Sequence, residues 1–260
     1  MTYSKSLFFS IVVRALGLVF SLGSLYLIVR FAIQDSRGQR IDHYGMLAVQ
    51  EKLDASLSVL SSLGYIAIGI AGIVLVYYWT LQLIRRSWVS LATAVVLVIG
   101  ANVTTQILKA IVISRPDFGW GSHNSLPSGH TTMAASFAVA AIMIAPQRTR
   151  GFLVFLTTTV VSLAGVSTVI AGWHRPADVI SALAVTGAWA TLVSLTHKPI
   201  SSRTREFVAA SILGGTTAFI LIIFVDLGLP SPAGALVVLA CISLVGATMM
   251  LAAKLAADQP

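Results

Sequence analysis

An all-α, polytopic transmembrane helix bundle is the fold class this sequence predicts, on three observations. First, 57% of the 260 residues are hydrophobic and only 10% are charged. A soluble domain of this length needs a more polar surface, whereas lipid-facing helices do not. Second, the apolar residues fall into runs close to the ~20 residues that a membrane-crossing helix requires. Third, the basic residues behind the net charge of +8 lie mainly in short connections between those runs, as membrane topology dictates. Nucleic-acid binding, the usual inference from such a charge in a soluble protein, is set aside on that ground. The single cysteine, Cys241, sits inside an apolar run and reads as a small buried hydrophobe, so no intrachain disulfide and no cysteine metal cluster is expected.

About eight spans are predicted, at 11–33, 58–84, 88–108, 131–146, 152–172, 177–196, 207–225 and 234–253. The first apolar run, Leu7 to Ile33, is too long for a signal-peptide core and reads as a retained helix. The fourth is short because Pro146 closes it. The last two form a C-terminal hairpin, 207–253, with Pro230 and Pro232 in its turn, added to a six-helix core. With no internal repeat and no low-complexity tract, 1–260 reads as one integral membrane domain.

Loop charge sets the orientation. With the N-terminus cytoplasmic, Lys5, Arg85, Arg86, Arg148, Arg150, Lys198, Arg203, Arg205 and Lys254 lie inside. Arg30, Arg37, Arg40 and Lys52 lie outside, together with Lys109, Arg115 and Arg175, which are reserved for chemistry. Positive charge is therefore concentrated on the inner side. The polar stretch 34–56 reads as a solvated outer loop with room for a short amphipathic helix, a lid being the alternative. His43 and His197 read as solvated, and Trp120 and Trp173 as interfacial aromatics.

Three outward connections carry an unusual density of polar groups. Lys109 and then Arg115-Pro116 leave the third span. Asn124-Ser125-Leu126-Pro127-Ser128-Gly129-His130 opens the fourth, and Gly172-Trp173-His174-Arg175-Pro176-Ala177-Asp178 joins the fifth to the sixth. A charge at mid-membrane costs ~2.5–3.5 kcal/mol on insertion scales, so charges beside spans are terminal or functional. Ser128-Gly129-His130 precedes a helix, whose free N–H groups and partial positive charge suit an anion, and glycine lets that anion come close. Lys109 and Arg115 add full charge and forked donors for phosphate oxygens; interfacial snorkelling is the plain alternative for both. His174 and Asp178 share a helical face if the helix begins near Pro176. A carboxylate on one imidazole nitrogen fixes the tautomer and frees the other nitrogen as a nucleophile, leaving His130 to act as general acid.

The order Lys…Arg-Pro, Pro-Ser-Gly-His, His-x-x-x-Asp resembles the type 2 phosphatidic acid phosphatase superfamily, whose sites are similar to those of vanadium-dependent haloperoxidases. The resemblance covers about 56–197, and Pro127 to His130 is its most specific piece. It implies that His174 attacks phosphorus to give a phosphohistidine, that Asp178 orients it and that His130 is the acid. Lys109, Arg115, Ser128 and Gly129 would bind the phosphate, with no metal and no cofactor. Two departures stand out. Five residues separate Lys109 from Arg115, where the family has six, and Thr168 occupies the place of an arginine six residues before the third-motif histidine. Arg175 is a candidate replacement, its other reading being a loop arginine.

The expected function is hydrolysis of a lipid-linked phosphate monoester or diphosphate at the non-cytoplasmic face, in a bacterial-type plasma (inner) membrane. The expected partners are the lipid phosphate and the bilayer. Two alternatives remain: a phosphotransferase to a lipid or sugar hydroxyl, and a non-enzymatic transporter or binding protein for an anionic lipid. Transporters often show repeats and broken mid-membrane helices, whereas these polar groups lie at helix ends on one side.

Overall fold

A computed structural model describes residues 2–50, 54–121, 123–195, 203–225 and 231–256, and the described residues are helical with no strand. The helices are α1 (Thr2–Ile28), α2 (Ser36–Leu47), α3 (Asp54–Ile84), α4 (Trp88–Ile107), α5 (Gly129–Ile144), α6 (Gln147–Ile170), α7 (Pro176–Ser194), α8 (Thr204–Val225) and α9 (Pro232–Leu255). Single π turns extend α1 over Val29–Ile33 and α4 over Leu108–Val112. All but α2 and α5 are long and apolar enough to cross a membrane, seven helices among the described residues. The chain is an integral membrane protein.

The fourth predicted span, 131–146, is α5, and it departs from the expectation. Its 16 residues rise only ~24 Å, short of the ~30 Å hydrocarbon core. The shortfall is tolerated because α5 is enclosed by protein over most of its surface. From Thr131 to Ile144 every residue is buried except Met133 and Phe137, and α3, α4, α6, α7 and α9 surround it. Alanines at 134, 135, 138, 140 and 141 let those neighbours come close. Its ends are satisfied by protein: Ser128 N–H donates to the Asp178 carbonyl at 2.9 Å, and the Ile144 carbonyl accepts from Gln82 Nε2 at 2.5 Å.

The C-terminal pair is packed into the bundle. α8 lies along α6, and α9 touches α5, α6, α7 and α8. Gly214 and Gly215 permit this approach: an added Cβ at Gly215 would come 2.9 Å from Ile242 Cγ2, and one at Gly214 would run into the Phe155 carbonyl. Pro232 is the first residue of α9; Lys198, His197, Pro230 and Lys52 fall outside the described residues.

Within 34–56 the structure forms a docked helix. Asp35 caps α2, its carboxylate accepting from Gly38 N at 2.7 Å. One face of α2 is buried, with Gln39 and Asp42 inside, so the expected solvated loop is corrected. Between α1, α2, α7 and α9 runs an apolar groove of about 730 Å³, lined by Leu27, Phe31, Ile41, Ile180 and Val237 and reaching Pro176 and Ala177.

Candidate active site

The three polar connections meet at one end of the bundle. α4 ends in the π turn that carries Lys109, and the chain then runs extended through Arg115. The turn falls within the shortened Lys109–Arg115 spacing. Asn124 closes the loop by donating to the carbonyls of Lys109 at 3.1 Å and Ile113 at 2.8 Å. Arg115 is buried; its Nε donates to the Gly121 carbonyl at 2.9 Å, while Nη1 and Nη2 have no hydrogen-bond partner among the described residues. Two donors of a fixed fork are therefore uncommitted.

Ser128 is the N-cap of α5, its Oγ accepting from Thr131 N at 3.3 Å and from Thr131 Oγ1 at 3.0 Å. Its own N–H is spent on the Asp178 carbonyl, which ties the second connection to the third. The N–H groups of Gly129 and His130, in the first helical turn, have no carbonyl one turn back to receive them. The anion-holding capacity of this terminus thus sits at Gly129 and His130, with only a hydroxyl proton left at Ser128.

Gly172, at φ +70°, turns the chain between α6 and α7 in a conformation that side chains disfavour. α7 begins at Pro176, so His174 and Asp178 stand one turn apart. His174 Nδ1 lies 3.1 Å from Asp178 Oδ2. The same oxygen accepts from Ser125 Oγ at 2.6 Å and from Arg175 N–H at 2.9 Å, in a side chain fully removed from solvent. These bonds hold the carboxylate and leave His174 Nε2 as the free ring nitrogen. The rings of His130 and His174 face each other edge to plane, 6.2 Å between centroids and 69° apart. Tyr65 and Trp173 close round His130 at 5.6 and 6.1 Å.

Arg175 reaches back across the site. Its Nη2 donates to the Trp120 carbonyl at 3.0 Å and its Nη1 lies 3.5 Å from Ser125 Oγ. Gly121, at φ +86°, makes room for it, since a Cβ there would stand 3.3 Å from Arg175 Nη2. Thr168 points elsewhere: its Oγ1 donates to the Gly165 carbonyl at 2.7 Å, and its own carbonyl accepts from Trp173 and His174 N–H. It fixes the turn and offers the site no charge. Asp117 binds Gly119 N at 2.8 Å, and His123 is exposed.

Sequence reasoning missed the contribution of α2. Gln39 Nε2 donates to the carbonyls of Ile33 at 2.7 Å and Pro116 at 2.9 Å. Asp42 Oδ1 accepts from Ala177 N at 2.9 Å. His43, expected to be solvated, instead packs on Trp120 at 5.7 Å, with Tyr44 beside it. Burial, then Asp178, pushes the Asp42 carboxyl up to about 7, against the pull of the Ala177 N–H, Arg175 and Arg115. Burial and the two arginines lower His43, and burial and Arg175 lower Arg115. The i, i+3, i+4 spacing of 39, 42 and 43 was the available signal, since it marks one helical face.

No curated protein and no solved structure matches the chain. A family model does: residues 90–201 match the PAP2 superfamily, a stretch that begins in α4 and contains Lys109, Arg115, Ser128, Gly129, His130, His174, Arg175 and Asp178. With this match over the motif-bearing helices, residues 90–201 are similar to the type 2 phosphatidic acid phosphatase superfamily, which supports a phosphatase-type protein of membranes.

Proposed function

We propose that the protein hydrolyses a lipid-linked phosphate monoester or diphosphate at the non-cytoplasmic face of a bacterial-type plasma membrane, through a phosphohistidine on His174. The observation that carries the reading is the facing pair His130 and His174, with Asp178 behind one ring and uncommitted arginine donors alongside.

In the first step His174 Nε2 attacks phosphorus and a P–N bond forms as the bond to the leaving oxygen breaks. His130 gives that oxygen its proton. Asp178 keeps the Nδ1 proton in place and stabilises the positive ring that forms. Water then attacks the phosphohistidine, His130 takes the water proton, the P–N bond breaks and inorganic phosphate leaves. Arg115 Nη1 and Nη2, Lys109, Arg175 and the N–H groups of Gly129 and His130 bind the oxygens on which charge develops. The apolar groove reaching Pro176 and Ala177 favours a substrate with a hydrocarbon chain, and the inward concentration of loop arginines and lysines favours an outward-facing site.

Purified protein is given a panel of lipid phosphates, with phosphate release and substrate loss measured together, beside His174→Ala. Equal amounts of both, abolished in the variant, are expected. Substrate loss without phosphate release indicates transfer to another hydroxyl, and substrate binding without loss indicates a carrier; either outcome sinks hydrolysis.

A further inference from the structure

We propose that α2 is a clamp that assembles the site from outside the matched region, and that Asp42 is the positioning residue through which it sets the His174–Asp178 turn. The inference rests on the hydrolase reading for its kinetic consequence only.

The need for such a residue is written in the start of α7. Its N-cap position is Arg175, and a guanidinium has no acceptor to offer a helix N–H. Pro176 has no N–H, and Asp178 N–H bonds back to the Arg175 carbonyl at 3.0 Å. That leaves Ala177 N–H, next to the carboxylate behind His174, without a local cap. Asp42 supplies the missing oxygen from 135 positions away, at 2.9 Å.

Asp42 does not act alone. Gln39, one turn earlier on the same face and fully buried, holds the Pro116 carbonyl and so the extended segment carrying Arg115. His43 packs on Trp120, the residue whose carbonyl holds Arg175. Beyond α2, Gln50 lies against Gly172, where an added Cβ would come 2.6 Å from its Nε2. One helix face thus touches the Arg115 segment, the Arg175 anchor and the first turn of α7. The far end of α2 is pinned in turn, Ser231 Oγ reaching the Ala48 carbonyl at 3.3 Å at the head of α9.

The test uses the full-length protein in detergent, following amide hydrogen exchange of residues 174–180 together with kcat and KM. A cap is worth about a 5- to 10-fold change in local opening. Asp42→Ala is expected to speed exchange at 174–180 by that factor, leave the middle of α6 unchanged, and lower kcat several-fold with KM within about twofold. Asp42→Asn keeps an acceptor for Ala177 N–H and is expected to restore both readouts. Arg40→Ala, on the exposed side of α2, is expected to change neither. Gln39→Ala leaves the cap intact and is expected to raise KM through Arg115 without loosening α7. Should Asp42→Ala not fold, Asp42→Asn and Gln39→Ala decide. The clamp is overturned by unchanged exchange in Asp42→Ala, by equal loosening of α6, by no rescue in Asp42→Asn, or by a loosened α7 in Gln39→Ala. The expected exchange pattern in a protein that releases no phosphate supports the cap and strikes only the hydrolase reading.

Discussion

Replacing Asp178 by asparagine removes one charge and one acceptor oxygen at nearly constant volume, and the surrounding bonds decide which way the new amide turns. Oδ2 of Asp178 receives Ser125 Oγ–H at 2.6 Å, Arg175 N–H at 2.9 Å and His174 Nδ1 at 3.1 Å. Oδ1 is buried without a partner among the described residues. Ser125 can reverse its hydroxyl, but the Arg175 backbone N–H cannot turn round. The asparagine oxygen therefore takes the crowded position and its NH2 group the empty one, so His174 keeps its proton on Nδ1 and its lone pair on Nε2. The loss is charge assistance to the imidazolium, about 1–2 kcal/mol between a charged and a neutral bond. That corresponds to about a 5- to 30-fold fall in kcat. The unpaired NH2 costs about 1–3 kcal/mol of folding stability, separately from rate. The assay is initial-rate phosphate release over a range of lipid phosphate, with a thermal melt on the same preparation. A fall near 10⁴-fold, the scale of a reversed tautomer, would falsify the oxygen-inward argument. A raised KM at unchanged kcat would instead make Asp178 a substrate ligand.

Arg175→Ala is expected to lower kcat/KM at least tenfold, because it removes the guanidinium that stands where Thr168 offers none; Arg37→Ala, on an exposed position, is expected to leave rates unchanged. Equal, mild effects in the two variants eject Arg175 from the site. Thr168→Arg, which restores the family residue, is expected to reduce the yield of folded protein without raising activity. Thr168 is 3% exposed, and the cavity beside it is about 10 Å³, too small for a guanidinium; a folded, faster variant contradicts this. Asp42 also gives stability a pH dependence. Unfolded, its carboxyl ionises near 3.8, and folded near 7, so between these values the folded protein holds a proton that the unfolded chain has lost. Stability therefore falls as pH rises from about 4 to about 7, by a few kcal/mol at most. Thermal melts of Asp42→Asn lack this slope, and parallel curves for the two proteins refute the assignment.

The long helices were legible because an apolar run long enough to cross a membrane advertises itself locally, in twenty-odd consecutive residues. Each of the three motif connections was legible for the same reason: Pro127 to His130 and His174 to Asp178 are complete within a few positions. α2 was not. Gln39 finds its outer partner 77 residues away and Asp42 finds its cap 135 residues away, and nothing in the string Ser36–Leu47 announces either. The i, i+3, i+4 spacing of 39, 42 and 43 marks a helical face but does not say what that face docks on. The π turns at Val29–Ile33 and Leu108–Val112 leave no composition signal, since they change the backbone register and not the residue types. The short spacing before Arg115 hinted at an irregularity without saying which kind. Ser128 shows the same limit at atomic scale, because its N–H is claimed by a carbonyl of another connection.

A helix surrounded by five others has a consequence for traffic. Because α5 fills the axis of the molecule, no hydrocarbon tail can thread down the middle toward the histidines. On the proposed hydrolase reading, a lipid would lie along the flank of the protein and present only its head at the rim, its dephosphorylated product would return sideways to the same leaflet, and phosphate would depart into water.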